Sequence, residues 1–120
     1  MEAAFFDPVR TAYTGRALKI NSDARYRFER GIDPAWTPTG VEAATQMIMD
    51  LCGGTPSDVV TAGQLPDHTR AYRLDADRVQ SLVGMEIAPQ TQRDTLEALG
   101  FVMDGDMAQV PSWRPDVMGE

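Results

Sequence analysis

The spacing of apolar side chains predicts two helices in the first half of the chain. Asp7 has the side chain to cap a helix that begins with Pro8, whose ring fits the first helical turn. Over residues 41–52, apolar residues repeat every three or four positions, as on the buried side of a helix. Thr39 and Glu42 are placed as a capping box at its start. This second helix is expected to end at the glycine pair that follows the repeat.

Two short segments are predicted to be strands: 2–6, which is an apolar run, and 57–62, which has Val59 and Val60 at its centre. Residues 65–69 are polar and include a proline, which is typical of a connection between domains. The sequence therefore predicts an α/β layer within residues 1–64, a linker at 65–69 and a separate module at 70–120.

The second half carries the signals for a strand, two helices and a hairpin, in that order. Residues 72–74 alternate as in a strand, and Asp75 is suited to cap the helix that follows. A second, proline-led helix is expected to end at Gly100. Asp104 and Gly105 then favour a tight hairpin turn. This order predicts a small winged-helix-like module, and the fold class of the whole chain is α+β.

Charge distinguishes the two halves of the chain. The net charge is −7, and residues 65–120 hold five Arg against ten acidic residues. The negative electrostatic field of this half repels phosphates, which argues against a free-standing nucleic-acid-binding module. Segment 10–30 differs, because it contains six Lys and Arg residues and only two acids, Asp23 and Glu29, which gives it a net charge of +4. Two interpretations remain open: charges that pair internally, and a docking surface for RNA or an acidic neighbour.

No pair of catalytic nucleophile and base is recognisable in the sequence. Cys52 and His68 are each the sole residue of their type. Cys52 falls on the apolar side of a predicted helix, where a small buried hydrophobe is expected. No Cys and His spacing fits zinc, and no glycine-rich loop fits phosphate. A single cysteine favours a reduced, cytoplasmic setting, and no apolar run is long enough for a membrane helix.

Two stretches are unusually dense in chemically distinctive residues. In 25–30, arginines alternate with aromatic residues, and in 111–116 two prolines bracket a Trp-Arg pair. For the first stretch, ion pairs with neighbouring carboxylates are favoured over a pocket wall or a phosphate contact. Asp116 closes the stiff second stretch and is suited to a salt bridge or to binding Mg²⁺, although only Glu120 follows it as a further acid.

These stretches resemble the beta subunit of bacterial phenylalanine–tRNA ligases. The matching pieces are Glu-Ala-Ala-Phe-Phe-Asp-Pro-Val at 2–9, Arg-Phe-Glu-Arg-Gly-x-Asp-Pro at 27–34, and Val-Pro-x-Trp-Arg-x-Asp at 110–116. The resemblance implies an internal fragment of such a subunit. Residues 1–64 would be the C-terminal part of the tRNA-editing domain, and residues 70–120 the small domain that follows it.

The family attaches phenylalanine to its tRNA with ATP and Mg²⁺, as a heterotetramer of alpha and beta subunits, and its beta subunit hydrolyses wrongly attached tyrosine. The resemblance implies that Glu2 and Ala24 belong to the editing pocket and that Asp116 is an Mg²⁺ ligand. It implies the alpha subunit and tRNA as partners, rather than DNA or a membrane. The isolated fragment is expected to be inactive, with no catalytic residue and no bound cofactor. A free-standing winged-helix nucleic-acid-binding module and a purely structural scaffold remain alternatives.

Overall fold

The computed structural model describes residues 1–119, which divide into two compact units. Unit 1 comprises Met1–Asp67, and unit 2 begins at His68, inside the predicted linker at 65–69. Within the described residues, unit 1 contains three helices, and unit 2 contains two helices and a small antiparallel sheet. This mixture of helices and strands confirms the predicted α+β class.

The helices of unit 1 are α1 (Pro8–Ala17), α2 (Asp23–Phe28) and α3 (Thr37–Cys52). α1 begins as predicted, because the side chain of Asp7 accepts a hydrogen bond from the amide of Arg10 at 2.7 Å. α2 has a similar start, in which the hydroxyl of Ser22 accepts from the amide of Arg25 at 3.2 Å. Local polar side chains therefore set the first residue of both short helices.

α3 begins two residues before the predicted capping box, so that prediction is wrong. Thr39 and Glu42 lie inside the helix, and no side chain caps its start. Pro38 stands in the first turn, where the missing amide has no intrahelical partner to lose. The proline thus permits an earlier start than the box suggested. The predicted end is confirmed, since the chain leaves the helix at Gly53 with a φ of 71°.

The two strands predicted for unit 1 are not formed. Residues 2–6 and 57–62 are irregular, and Val59 and Val60 are 69% and 89% exposed. A strand requires a neighbour that pairs with its amides and carbonyls, and neither run meets one within residues 1–119. The expected α/β layer is therefore wrong for the described part of unit 1, which is helical.

α1 and α2 approach each other at a glycine. Gly15 is buried, and the side chain of Arg25 occupies the space beside it. A Cβ atom at position 15 would lie 2.1 Å from the Arg25 Nε. The guanidinium of Arg25 then donates to Glu29 Oε2 at 3.0 Å and to the carbonyl of Ile20. The contact between the helices is therefore filled by an arginine whose charge is satisfied locally.

The elements of unit 2 are β1 (Ala71–Arg73), α4 (Ala76–Val83), α5 (Pro89–Ala98), β2 (Val102–Asp104) and β3 (Met107–Gln109). The strands form an antiparallel sheet in the order β1-β3-β2, with Ala108 of β3 opposite both Tyr72 and Met103. Ala108 in β3 and Val110, just after the strand, are buried apolar residues. This confirms the predicted succession of strand, helix, helix and hairpin.

The helices of unit 2 begin and end where local signals predicted. Asp75 caps α4 by accepting from the amide of Asp77 at 3.1 Å, and α4 ends at Gly84, which has a φ of 75°. After α5, Gly100 has a φ of 88°, and the amide of Phe101 donates to the carbonyl of Leu96 at 3.0 Å. This bond is the six-to-one contact of a Schellman ending.

Gln92 joins the two helices of unit 2 from a buried position. It is 7% exposed, and its Nε2 donates to the carbonyl of Ala76 at 3.0 Å and to that of Ile87 at 2.9 Å. The two carbonyls belong to the start of α4 and to the loop before α5. The backbone therefore satisfies the Nε2 of Gln92, whereas its buried Oε1 has no hydrogen-bond partner among the described residues.

Candidate functional site

The N-terminal segment and the start of α3 enclose a cleft of about 500 Å³ in unit 1. Three aromatic side chains line it. The rings of Phe6 and Phe28 meet edge to face, with centroids 5.0 Å apart and planes at 79°, and the indole of Trp36 lines the same space. A cleft of this size with aromatic walls suits a planar ring on a ligand.

Three polar side chains line the same cleft: those of Glu2, Asp33 and Thr37. Asp33 accepts a hydrogen bond from the amide of Ala35 at 2.9 Å, so it also shapes the turn before α3. The hydroxyl of Thr37 is buried and has no hydrogen-bond partner among the described residues. A buried polar atom without a partner costs about 1–3 kcal/mol. The exposed carboxylate of Glu2 offers acceptor oxygens only.

The structure places only one of the two predicted pocket residues at this cleft. Glu2 lines it, whereas Ala24 lies exposed in α2, outside the lining. The place of Ala24 in an editing pocket stays a prediction. Trp36 and Thr37 line the cleft but were not recognised from the sequence. The available signal was their position just after an Asp-Pro turn, where the chain enters a helix.

Asp116 lies on the segment that follows β3, where Arg114 holds its carboxylate at two points. The Nε and Nη2 atoms of Arg114 lie 2.8 Å from Oδ1 and 2.8 Å from Oδ2. This hydrogen bonding lowers the pKa of the Asp116 carboxyl and raises the pKa of Arg114. The side chain of Asp116 is 62% exposed, so water screens the ion pair and limits its contribution to stability.

The described residues do not form a magnesium site on their own. Both oxygens of Asp116 accept hydrogen bonds from the Arg114 guanidinium, whose positive charge disfavours a cation at the same carboxylate. Residues 1–119 also contain no group of three or more His, Cys, Asp or Glu side chains placed to hold a metal. Mg²⁺ requires several oxygen ligands in octahedral geometry. The role of Asp116 as a metal ligand therefore stays a prediction.

We expect the pair between Arg114 and Asp116 to break only in strong acid. A carboxyl whose pKa is lowered by folding stabilises the folded chain above its ordinary value of 3.8, and this contribution is lost as the pH falls through the lowered value. An NMR titration of the Asp116 carboxyl carbon should give a midpoint below 3.8. Arg114→Gln should move that midpoint upward. An unchanged midpoint in this variant would show that Arg114 does not cause the shift.

Arg70 fixes the backbone that carries this ion pair. Its guanidinium donates to the carbonyls of Arg114, Pro115 and Val117 at 2.9, 3.3 and 2.8 Å. Its own carbonyl accepts from the amide of Val110 at 2.8 Å, next to the pairing of β1 with β3. One side chain thus connects the start of the sheet to three carbonyls at least 44 residues further along the chain.

Trp113 packs against the end of α5. If Gly100 carried a Cβ atom, that atom would lie 2.6 Å from Cζ2 of the indole. Although Trp113 is 58% exposed, its ring therefore covers the backbone at Gly100 closely. The contacts of Arg70 and the packing of Trp113 on Gly100 therefore both fix the segment from residue 113 to residue 117 within unit 2.

Cys52 is exposed, so the prediction of a buried hydrophobe is wrong. Ile48 and Leu51, on the same apolar side of α3, are also 49% and 78% exposed. α3 has an apolar side, but no described residue covers the part of that side formed by Ile48, Leu51 and Cys52. Cys52 lies in unit 1 and His68 in unit 2.

None of the helices formed by residues 1–119 has the length and apolar character needed to cross a membrane.

Two family models match the chain, one for each candidate region. The B3/4 domain matches residues 1–53, which include the cleft around Glu2, and the tRNA synthetase B5 domain matches residues 72–120, which include Asp116. Together with the fold, these matches identify the chain as part of a tRNA synthetase.

Proteins named phenylalanine–tRNA ligase beta subunit align with the full chain. Those of Ruegeria pomeroyi and Cereibacter sphaeroides are 66% and 64% identical over 120 residues, which is 100% of this chain and 15% of each relative. That of Paramagnetospirillum magneticum is 48% identical over 124 aligned positions, with 100% of this chain and 16% of the relative covered. The chain belongs to the family of phenylalanine–tRNA ligase beta subunits, and it spans about 15% of the length of these relatives.

Proposed function

We propose that the chain serves a phenylalanine–tRNA ligase, as the part of the beta subunit that recognises tyrosine wrongly attached to tRNA. The observation that carries this proposal is the aromatic cleft beside Glu2, within the match to the B3/4 domain. In the whole enzyme, an alpha subunit would attach phenylalanine to tRNA with ATP and Mg²⁺. We assign no catalytic residue of that reaction to this chain.

The cleft offers a physical basis for distinguishing tyrosine from phenylalanine. The two amino acids differ by one hydroxyl, and an apolar pocket rejects an added hydroxyl poorly. A pocket that rewards the hydroxyl works in the opposite direction, because only tyrosine can donate a hydrogen bond to an acceptor there. In this cleft the ring would lie against Phe6, Phe28 and Trp36, and the phenol would donate to Glu2.

Ala24 and Asp116 enter the proposal through the family resemblance alone. Ala24 would contribute a pocket wall from α2, in the same unit as the cleft. Asp116 would bind Mg²⁺ in competition with the positive charge of Arg114. Neither residue is needed for the recognition of the tyrosine hydroxyl by Glu2.

Glu2→Ala, made in a full-length beta subunit that contains this segment and assembled with its alpha subunit, tests the proposal. We expect hydrolysis of tyrosyl-tRNA to slow by about tenfold, because one hydrogen bond to a charged acceptor is worth about 1.5 kcal/mol or more. ATP-dependent attachment of phenylalanine should continue at the same rate. Both reactions are measured with radiolabelled amino acids.

Glu42→Ala provides the matched control. Glu42 is an exposed glutamate of α3 that does not line the cleft, so its removal changes the net charge equally and should leave both rates unchanged. Equal clearance of tyrosine by the Glu2→Ala enzyme and by the unmodified enzyme would remove Glu2 from the recognition of tyrosine. The same conclusion would follow if Glu42→Ala slowed clearance to the same extent.

A further inference from the structure

The cleft of unit 1 is lined by two acidic side chains in addition to its three aromatic ones. The acids are Glu2 and Asp33, and among the described residues none that lines the cleft is a lysine or an arginine. Two negative charges beside a cavity of about 500 Å³ attract cations into it and repel anions. The charge of the cleft therefore favours a ligand that carries a positive group.

The aromatic side chains favour the same kind of ligand. Phe6 and Trp36 are 46% and 59% exposed, so parts of both rings are open to a bound molecule. Trp36 lies close to the backbone of Gly40, where a Cβ atom would be 3.4 Å from Cδ1 of the indole. Aromatic faces attract ammonium groups, and those of Trp do so most strongly. Carboxylates and aromatic faces around one cavity therefore suit an ammonium group.

Asp33 is held in a defined position beside the cleft. Its Oδ1 accepts a hydrogen bond from the amide of Ala35 at 2.9 Å, which orients the side chain in the turn before α3. The residue is half-buried. Because a carboxylate has acceptor sites for about four hydrogen bonds, the bond to Ala35 orients Asp33 without exhausting its capacity to accept a further donor.

The ligand of the proposed function carries a group that matches this acid. A tyrosyl ester of tRNA has a phenol, which is assigned to Glu2, and an α-ammonium group, which is the only positive charge of the tyrosyl moiety. Its carboxyl group is esterified, so no negative charge adjoins the ammonium. Free tyrosine differs, because its carboxylate lies next to the ammonium and is repelled by an acidic cleft.

We propose that Asp33 binds the α-ammonium group of the tyrosyl ester and is a specificity-determining residue of the cleft. The inference rests on the proposed function, because it takes the tyrosyl ester as the ligand. It adds a preference that the phenol contact of Glu2 does not provide. The cleft selects the ester that bears an ammonium over the same ester without one, and over the free amino acid.

Asp33→Asn, made in a full-length beta subunit that contains this segment and assembled with its alpha subunit, tests the inference. Asparagine keeps an oxygen that can accept from Ala35, so the turn is retained while the charge is lost. Two substrates are compared: tyrosyl-tRNA, and tRNA acylated with desaminotyrosine, which has the phenol but no ammonium. The ammonium also makes an ester intrinsically more reactive, so the effect of the variant is measured on each substrate separately.

We expect Asp33→Asn to lower kcat/KM for the hydrolysis of tyrosyl-tRNA by about tenfold, because a hydrogen bond between two charged groups is weakened. Hydrolysis of the desaminotyrosyl ester should be unchanged. Tyrosinamide, which keeps the ammonium but has no carboxylate, should inhibit the clearance of tyrosyl-tRNA by the unmodified enzyme at about fivefold lower concentration than tyrosine does.

Asp7→Asn is the matched control. Asp7 also accepts from a backbone amide in unit 1, that of Arg10, but it lies outside the cleft formed by the described residues. Its replacement removes the same charge and should leave the hydrolysis of both esters unchanged. The inference is overturned if Asp33→Asn slows both esters equally, as a purely structural role would, if it slows neither, or if tyrosine inhibits as strongly as tyrosinamide.

Glu2→Ala separates this inference from the proposed function. Both esters carry the phenol, so the loss of Glu2 should slow the hydrolysis of both by the same factor. If Glu2→Ala slowed neither ester while Asp33→Asn still slowed tyrosyl-tRNA alone, the recognition of the phenol by Glu2 would fail and the role of Asp33 would stand. An unmodified enzyme that hydrolysed neither ester would overturn both.

Discussion

Gly100→Ala is expected to destabilise unit 2 by about 3 kcal/mol, through the combined cost of a left-handed backbone and an overpacked contact. Gly100 has a φ of 88°, which disfavours any residue with a Cβ atom. The added Cβ would also lie 2.6 Å from the indole of Trp113, where atoms cannot coexist without a shift. Either Trp113 leaves its position or the Schellman bond from Phe101 to Leu96 is distorted.

Gly84→Ala is the matched comparison for this prediction. Gly84 also ends a helix, with a φ of 75°, but no atom lies within 4 Å of the position that its Cβ would take. Its replacement should therefore cost only the backbone term, about 1 kcal/mol. Hydrogen exchange of the Val110 amide, which is bonded to Arg70, reports the stability of unit 2 in both variants. Equal acceleration of exchange in the two would show that Trp113 moves aside without cost.

Arg70→Met is expected to destabilise unit 2 by about 2 kcal/mol, because three carbonyls lose a charged donor at once and are only partly rehydrated. Methionine keeps much of the apolar stem, so the loss reports the guanidinium rather than the packing. The effect should be largest in the segment that ends at Val117, whose carbonyl Arg70 binds at 2.8 Å. Hydrogen exchange along residues 110–117 measures both the general and the local effect.

Arg73→Met is the control for Arg70, since Arg73 also belongs to the start of the sheet. It binds Asp106 at 2.8 Å, but the two side chains are 71% and 53% exposed, and such pairs contribute little. We expect a much smaller loss of stability, and no local change at residues 113–117. If Arg73→Met had the same effect as Arg70→Met, the three carbonyl contacts would not matter.

The elements of unit 2 were predictable because their boundaries are set by neighbours in sequence. Asp75 caps α4 through an amide two residues away, and Gly84 and Gly100 end their helices by their own backbone conformation. The hairpin is similar, except that Gly105, with a φ of 59°, is the first of two loop residues. A glycine at that place, followed by Asp106 without a positive φ, fits a type II′ turn.

The features that sequence reasoning missed depend on distant partners. Whether residues 57–62 form a strand depends on a pairing edge, and whether Cys52 is buried depends on what covers α3; neither is encoded locally. The candidate sites show the same limit. Glu2 meets Trp36 only after the chain has folded back, and Arg70 meets carbonyls 44 to 47 residues away. Motifs identified Glu2 and Asp116, whereas the residues around them required coordinates.

The packing of Arg25 beside Gly15 makes these two positions share one volume. A methyl group at residue 15 would favour helix formation in α1, yet it would expel a guanidinium that donates to Glu29 and Ile20. Alanine at position 15 would therefore require the flexible Arg25 side chain to swing aside and give up these bonds. A shorter residue at position 25 would make no such demand on Gly15, so the coupling between the two positions runs in one direction only.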